Sequence, residues 1–561
     1  MLKVLTAAQM REVDRLTTER YGIPSILLME NAAHAVAGVI TEKLGGSVKD
    51  KKILILCGPG NNGAALARLL GMDGADVAVV VLGKVLETKG DTRINLGVLC
   101  SDDFTFDDVY MSSFCEVREI TSKDEWNKIQ LHIYNSDVDV LVDAIFGTGL
   151  SRPLDIWVYN IVHEINFLNE VPSFRPVRVA IDIPTGLNAD SGAKLDIALE
   201  SDLTVTFTAP KAGNVLPGAA AVNGELVIAD IGSADFIDEQ PSQLFLADRE
   251  DAAEWLENSA FTSSSYKNKR GHAMLIAGSK DYSGAAVLCG NSAIRSGAGL
   301  VTLACPEDAT AEIASRLLPE VILTTIESPD LIDHVSRANA IAVGCGLDAN
   351  DNDIKKLVRE IVETRKVPVV VDAGALWFFS PWSRSVSSPH VSKGQINIEA
   401  TPSPANRPSA DSGASDLILT PHEGEFLRLL GTDNKDVLKD RVAAVRDFAT
   451  KNNVILVLKG ERVLIGHPDG RVVVNPTGNS GLGKAGNGDT LTGIIVGFLA
   501  QAVQMEIDIF ETVIAAVYVA GMAGDVAEKK YGKRVMTASD VRECLVDVFS
   551  ELAGNQTGYT G

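Results

Sequence analysis

The sequence predicts an α/β protein made of two large successive units, each a parallel sheet flanked by helices. Three observations point there. Short apolar runs such as KKILILC, VDVLVDA, HAMLIAG, VTLAC, AIAVG, PVVVDAG and VILVLKG alternate with longer helical stretches, the rhythm of repeated strand–helix–strand units. Several of these runs end in glycine-rich turns, and open parallel sheets bind ligands just beyond the carboxyl ends of their strands. At 561 residues the chain exceeds one ordinary core at roughly 150 residues per domain. Two units fit best, residues 1–240 and 246–561, the second interrupted at about 380–415 by a proline- and serine-rich, weakly hydrophobic insertion.

Composition narrows the partners. A formal net charge of -23 repels nucleic-acid backbones and anionic membrane surfaces, leaving small ligands held by local N–H groups. The seven cysteines form no C-x-x-C pair, so neither a zinc site nor a disulfide framework is expected, and a reducing cytoplasm is the expected location. The start MLKVLTAAQMREVDR has no apolar signal region, and no run reaches the ~18 apolar residues of a membrane span.

In chain order, Met10 to Arg20 and Ile26 to Leu44 read as helices. KKILILC reads as a buried strand. Gly58, Gly60 and Gly63 then fit G-x-G-x-x-G, but the acidic residue expected about 20 positions later is missing, because DVAVVVLGK ends in glycine and lysine. A nucleotide-contacting loop without the usual ribose clamp is the reading. Asn61 and Asn62 either present amides to a ligand or cation, or simply form a turn. The strand VDVLVDAIFGTGL carries Asp143 at its carboxyl end before Gly147-Thr148-Gly149, and VRVAIDIPTGLNAD carries Asp182 before Pro184-Thr185-Gly186. One such aspartate is an ordinary turn or cap; two, each in a glycine-rich turn beside the Gly60 loop, mark a site.

The second unit repeats the β/α rhythm from Tyr266, with a helix carrying Ala285, Leu288, Ser292 and Ile294. Thr420 to Glu423 is compatible with a capping box, and His422 at a strand end either bonds a polar ligand or is structural. Lys459 ends another strand, where it meets phosphate or is surface charge. After a hairpin around His467 to Gly470 comes PTGNSGLGKAGNGDTLTGIIVGFLA, in which Leu491, Ile494, Ile495, Phe498 and Leu499 form one helical face. The helix therefore begins near Asp489, with glycines before it: an anion cradle. Gly478, Gly483 and Lys484 imitate a P-loop, but Ala485 stands where a hydroxyl should hold magnesium, so that motif is rejected. Asp489 is either a plain N-cap or a general base taking a hydroxyl proton while the cradle steadies a phosphoryl group.

These residues carry two family resemblances. LTAAQMREVDR, LLMENAA, GPGNNG, DAIFGTGL, DIPTGLNAD and DLTVTFTAPKAG resemble the NAD(P)H-hydrate epimerase domain, a Rossmann-like fold. The likeness implies that Asp143 is catalytic and, with Asn62 and Thr185, a potassium ligand. It also implies that Asn61, Asn62, Gly63, Gly147, Thr148, Gly149, Leu150, Ser151, Arg152, Pro153 and Asp182 line the hydrate pocket. One departure is visible: the family loop continues after NNG with Gly-Asp-Gly, whereas Gly63 here runs directly into Ala64-Ala65-Leu66, so a ligand-binding carboxylate lacks a counterpart.

From Leu246 to Phe549, GHAMLIAGS, VGCGL, VVDAGAL, LTPHEGEFLRLLG and NSGLGKAGNGDTLTGIIVGFLAQA resemble the NAD(P)H-hydrate dehydratase domain, a ribokinase-like fold. The likeness implies hydrate contacts at Ala285, Gly346, His422 and Asp489, and adenine-nucleotide contacts at Lys459, Gly460, Glu461, Arg462, Val463 and Gly488. It implies phosphorylation of the hydrate hydroxyl by ADP, or ATP in some relatives, then loss of phosphate. Magnesium is expected with the phosphates, and self-association follows from the family. Glu461 and Arg462 replace small residues usual after Lys459-Gly460, and the insertion is longer than usual. Two rivals stand beside this reading: a ribokinase-like kinase for a small molecule or vitamin precursor, and a first unit that only binds dinucleotide.

Overall fold

In this computed structural model the described residues are 1–58, 63–100, 105–106, 109–111, 114–134, 137–168, 175–233, 236–383 and 416–554. They form two compact units, one of Leu2–Ser242 and one of Met1 with Gln243–Gly561.

The first unit carries β1 (Leu2–Lys3), β2 (Lys52–Cys57), β3 (Asp76–Leu82), β4 (Thr105–Phe106), β5 (Val109–Met111), β6 (Glu116–Ile120), β7 (Val140–Ala144), β8 (Val177–Ile181), β9 (Leu203–Phe207) and β10 (Glu225–Ala229). The sheet order is β10-β9-β8-β7-β2-β3-β6-β5-β4, parallel from β10 to β6 and antiparallel at β6-β5-β4. The pleat sends alternate side chains to opposite faces. Ile53, Ile55 and Cys57 of β2 therefore join a core with Val36, Ile40, Leu66 and Leu70 from the helices Ser25–Lys43 and Gly63–Met72. Leu54 and Leu56 join Trp126, Ile161 and Ile165 on the other face. Both predicted N-terminal helices form, as Ala7–Tyr21 and Ser25–Lys43.

The second unit carries β11 (Leu244–Leu246), β12 (His272–Ile276), β13 (Leu300–Cys305), β14 (Ile322–Thr325), β15 (Ala340–Val343), β16 (Val369–Val371), β17 (Leu417–Leu419), β18 (Ile455–Leu458), β19 (Val463–Gly466) and β20 (Val472–Asn475). Their order is β11-β20-β19-β18-β17-β16-β15-β12-β13-β14. Only the β18-β19-β20 pairings are antiparallel, the hairpin read around His467 to Gly470. Most of the insertion, residues 384–415, lies outside the described residues.

The glycine-rich segment leads into the helix Asn487–Met505. This cradle helix is seated by two glycines: a Cβ at Gly493 would overlap the Cys289 carbonyl, and one at Gly497 would overlap Ser296 Oγ. Its backbone thus rests directly on the helix Ser283–Arg295. Trp255 stacks on Phe498 with ring centroids 3.9 Å apart, a contact worth about 0.5–1.5 kcal/mol beyond its burial. The helix Ile509–Tyr531 is long and apolar enough to cross a membrane. Its apolar residues, Phe510, Val513, Ile514 and Val517 among them, are buried in the unit's core.

Candidate active sites

In the first unit the strand order turns back between β2 and β7, which lie side by side although β3 follows β2 in the chain. Crevices at such reversals are where α/β sheets bind ligands. Gly58, just after β2, donates its N–H to Ala144 O at 2.8 Å. Asp143, in register with Leu56 of β2 and Ala180 of β8, is 1% exposed. Its Oδ2 accepts from Thr185 N at 2.7 Å; its Oδ1 accepts from Thr185 Oγ1 at 2.7 Å and from Ile145 N at 3.3 Å. Burial pushes this carboxyl up to about 6, against those hydrogen bonds, which is the range of a proton-exchanging group at neutral pH.

Asp182 follows β8 at φ 69, a left-handed position. Its Oδ1 accepts from Lys211 Nζ at 2.6 Å and Thr206 Oγ1 at 3.0 Å, while its backbone carbonyl accepts from Asn214 Nδ2 at 3.0 Å. Lys211 is itself buried and also bonded to Phe207 O at 3.1 Å. Gly147, Thr148 and Leu150 are half-buried, whereas Gly149, Ser151, Arg152 and Pro153 are exposed. Gly63 is buried at the start of its helix. Asn61 and Asn62 lie outside the described residues.

The second unit reverses between β12 and β15, and the loops there interlock. Gly278 N donates to Cys345 O at 2.8 Å and Gly344 N to Ile276 O at 3.1 Å. Gly346, at φ 70, lies so close to the next helix that a Cβ would stand 2.9 Å from the Ala285 Cβ. Ala285 and Gly346 are thus one wall, with Tyr282, 64% exposed, at its edge.

The cradle corrects one expectation. The helix starts at Asn487, with Gly486 in the left-handed conformation (φ 93, ψ -22) as its N-cap. Asp489 is therefore in the first turn and is not an N-cap. First-turn N–H groups have no intrahelical partner, so the carboxylate shares a positive helix end with whatever anion binds there. Asp489 is pushed up to about 6, mainly by burial and then by the neighbouring Asp372 carboxylate; the Cys345 thiol and Lys459 oppose the shift.

Lys459 does face the cradle, yet it is not a free surface charge. Its Nζ pairs with Asp372 Oδ1 at 2.8 Å. Burial pulls the ammonium down, and Asp372 and Glu425 more than offset that, leaving it raised. A Cβ on Gly488 would lie 3.4 Å from Lys459 Nζ, so the missing side chain leaves room for a ligand atom beside the cation. Lys484, the false P-loop lysine, donates to the carbonyls of Lys533, Arg534 and Met536 at 2.8–2.9 Å. It fastens the loop and does not contact the cradle mouth as a P-loop lysine would.

The predicted Thr420–Glu423 capping box does not form. His422 is the N-cap of the helix Glu423–Leu430, paired reciprocally with Glu425; Thr420 is buried, its hydroxyl donating to Val371 O at 3.4 Å. His422 Nδ1 accepts from Gly424 N at 3.0 Å and Glu425 N at 3.3 Å. With Nδ1 an acceptor, Nε2 is the ring's donor nitrogen, and it lies 3.6 Å from Glu425 Oε1. His422 and Lys459 form a parallel bridge at the ends of β17 and β18. In the turn Lys459 to Val463, Gly460 packs against Arg441, Glu461 is exposed, and Arg462 donates to Pro476 O, tying the turn to the glycine-rich segment.

Asp372, Cys345, Glu425, Thr492 and Lys211 were not singled out by the sequence reading. Asp372 had a visible signal, an aspartate closing a buried strand before Ala-Gly, the same pattern that marked Asp143. Among the described residues no group of three or more His, Cys, Asp or Glu could hold a metal ion.

A family model described as YjeF-related protein N-terminus matches residues 25–213, and one described as NAD(P)H-hydrate dehydratase matches residues 273–393 and 404–546. The bifunctional NAD(P)H-hydrate repair enzyme Nnr of Moorella thermoacetica is 32% identical over 98% of this chain and 97% of its own. That of Salinibacter ruber is 31% identical over 98% and 97%. Among solved structures, the ADP/ATP-dependent NAD(P)H-hydrate dehydratase from Bacillus subtilis, co-crystallized with ATP/Mg2+, is 29% identical with a TM-score of 0.44, covering 55% of this chain and 98% of that one.

Proposed function

The chain belongs to the family of bifunctional NAD(P)H-hydrate repair enzymes, and from that premise we propose how each unit works. The protein is an NAD(P)H-hydrate epimerase joined to an NAD(P)H-hydrate dehydratase. Joining them suits the chemistry, since a dehydratase specific for the S hydrate strands the R epimer unless something interconverts the two.

In the second unit the hydrate lies against Ala285, Gly346 and His422, with its ring hydroxyl at Asp489. Asp489 takes the hydroxyl proton as the terminal phosphoryl group of ADP, or of ATP, is transferred to that oxygen; AMP leaves when ADP is the donor. The first-turn N–H groups and the Lys459 ammonium offset the charge that builds on the transferring group. Phosphate then departs from the ring carbon, a proton leaves the neighbouring carbon, and the dihydropyridine double bond is restored. The turn Lys459 to Val463 and Gly488 hold the adenine nucleotide. No protein cluster builds a dedicated magnesium site among the described residues, so magnesium would enter on the nucleotide's phosphates, as this ion commonly does. The observation that carries this reading is an aspartate with its carboxyl held near 6 in the first turn of a glycine-entered helix, one residue after the Gly488 gap beside Lys459.

In the first unit we assign proton transfer to Asp143, with Asp182 and the loop Gly147 to Pro153 holding the hydrate. The oxygen donors of Asp143 and Thr185, with Asn62, suit potassium: Asp143 is buried, and no charged side chain among the described residues contributes to its shift. Bound there, potassium would supply the counter-charge that holds the carboxylate ionised. The expected compartment is the cytoplasm; all seven cysteines are free thiols.

The test is recovery of reduced-cofactor absorbance when the protein meets the S hydrate of NADH and ADP. A stable phosphorylated product without recovery would instead make the second unit a kinase. With pure R hydrate, turnover no faster than spontaneous epimerisation would remove the first unit's assignment.

A further inference from the structure

Behind the proposed base lies a second carboxylate that takes no part in the chemistry as described so far. Asp372 follows the carboxyl end of β16 and is 1% exposed. Its Oδ1 receives Lys459 Nζ at 2.8 Å and its Oδ2 receives Thr492 Oγ1 at 2.7 Å. Thr492 lies one helical turn beyond Gly488, so a single carboxylate ties the cation at the end of β18 to the first turns of the cradle helix. A Cβ on Gly488 would fall 3.9 Å from Asp372 Oδ2 and 3.4 Å from Lys459 Nζ, which puts the pair at the floor of the cradle. The residue after Asp372, Ala373, sits at φ 46 and ψ -123, where a non-glycine residue is strained and persists only if its surroundings hold it.

We propose that Asp372 is a positioning residue for the dehydration: it fixes the Lys459 ammonium beneath the phosphate cradle and, as a carboxylate near Asp489, sets the field in which that base works. This rests on the dehydratase reading of the second unit. The groups that act on Asp489 come from every neighbouring element: Cys345 after β15, Asp372 after β16, Glu425 on the helix after β17, and Lys459 after β18. Of these, Asp372 is the largest charged contributor and raises the Asp489 carboxyl. Without Asp372, Lys459 would also draw on the bound phosphate with no counter-charge fixing its position.

The two members of the pair make opposite predictions, which general loosening of the fold would not reproduce. In Asp372→Asn, removing the negative charge lowers the Asp489 titration by about one pH unit, and in Lys459→Met, removing the positive charge raises it. Carbon-13 chemical shifts of the Asp489 carboxyl in the full-length protein read both without requiring turnover. The acid limb of kcat should move with the titration, and ADP affinity should fall about tenfold in Asp372→Asn, the scale of one charged hydrogen bond. An unmoved titration in both variants, or a shift of the same sign in both, overturns the proposal. Should Asp372→Asn fail to fold, Thr492→Val decides: losing the hydroxyl that holds Asp372 Oδ2 should weaken ADP binding severalfold, and unchanged ADP affinity overturns the proposal. If the wild-type protein leaves the hydrate untouched, the dehydratase reading falls while the titrations still decide the role of Asp372.

Discussion

Asp143 in the first unit and Asp489 in the second have carboxyls pushed up to about the same value, near 6, by different surroundings. Asp143 is buried at a strand end and, among the described residues, is answered by hydrogen bonds from Thr185 and Ile145. Asp489, on a helix, is likewise raised first by burial, but it also sits among charges, with Asp372 raising it further and Lys459 lowering it. Exclusion of water is the main cause at both sites, and the second adds a balance of nearby ions. The roles proposed for them ask for this difference: as a potassium ligand Asp143 needs no competing cation, and as a base beside phosphate Asp489 needs a cation kept close yet restrained.

The largest effect separating them should come from the bases themselves. Asp489→Asn should lower kcat for dehydration by about 10²–10⁴, the usual contribution of a general base, while calorimetry shows ADP still binding. Dehydration retained at more than a tenth of wild type would remove Asp489 from its role. Asp143→Asn should leave dehydration of the S hydrate intact and lower epimerisation of the R hydrate by roughly 10²-fold or more. Loss of both activities would mean that the comparison between independent sites is wrong.

A smaller effect probes the cradle. Gly488→Ala places a methyl 3.4 Å from Lys459 Nζ and should raise KM for ADP about tenfold, equivalent to ~1.4 kcal/mol, with epimerisation unchanged. Nucleotide affinity equal to wild type would show that the phosphates lie elsewhere.

The smallest effect is on stability. For Asp489 the folded carboxyl near 6 lies above its ordinary 3.8, so between those values the folded state holds more protons than the unfolded chain. Stability therefore falls as pH rises through that window and stays lower above it. Asp489→Asn removes the cost, and its advantage over wild type, about 1–2 kcal/mol after allowance for partial exposure, should appear in Tm at pH 8 and vanish below pH 4. An equal advantage at both pH values would assign it to packing.

Much of the fold was legible because buried parallel strands are short continuous apolar runs: KKILILC, VRVAI and VTLAC each became a strand. The site was partly legible for the same reason, since strand ends carry Asp143, Asp182, His422 and Lys459. The helix boundary was misplaced by two residues because Gly486 adopts a left-handed turn that periodicity cannot register. The capping box slipped because a histidine nitrogen serves as the cap acceptor in place of a hydroxyl.

The sequence by itself determined the strands, the glycine-lined entry to the cradle helix and the aspartates at the mouths of both sheets, because these follow from local periodicity and from backbone freedom at particular positions. Tertiary structure alone decided that Asp372 ties Lys459 to Thr492 of the cradle helix, that Lys459 is therefore restrained and not free, and that Lys211 is buried against Asp182. Those pairings join residues distant in the chain, 87 positions apart for Lys459 and Asp372, and a carboxylate's charge state depends on which groups folding brings within a few ångströms and how much water it removes.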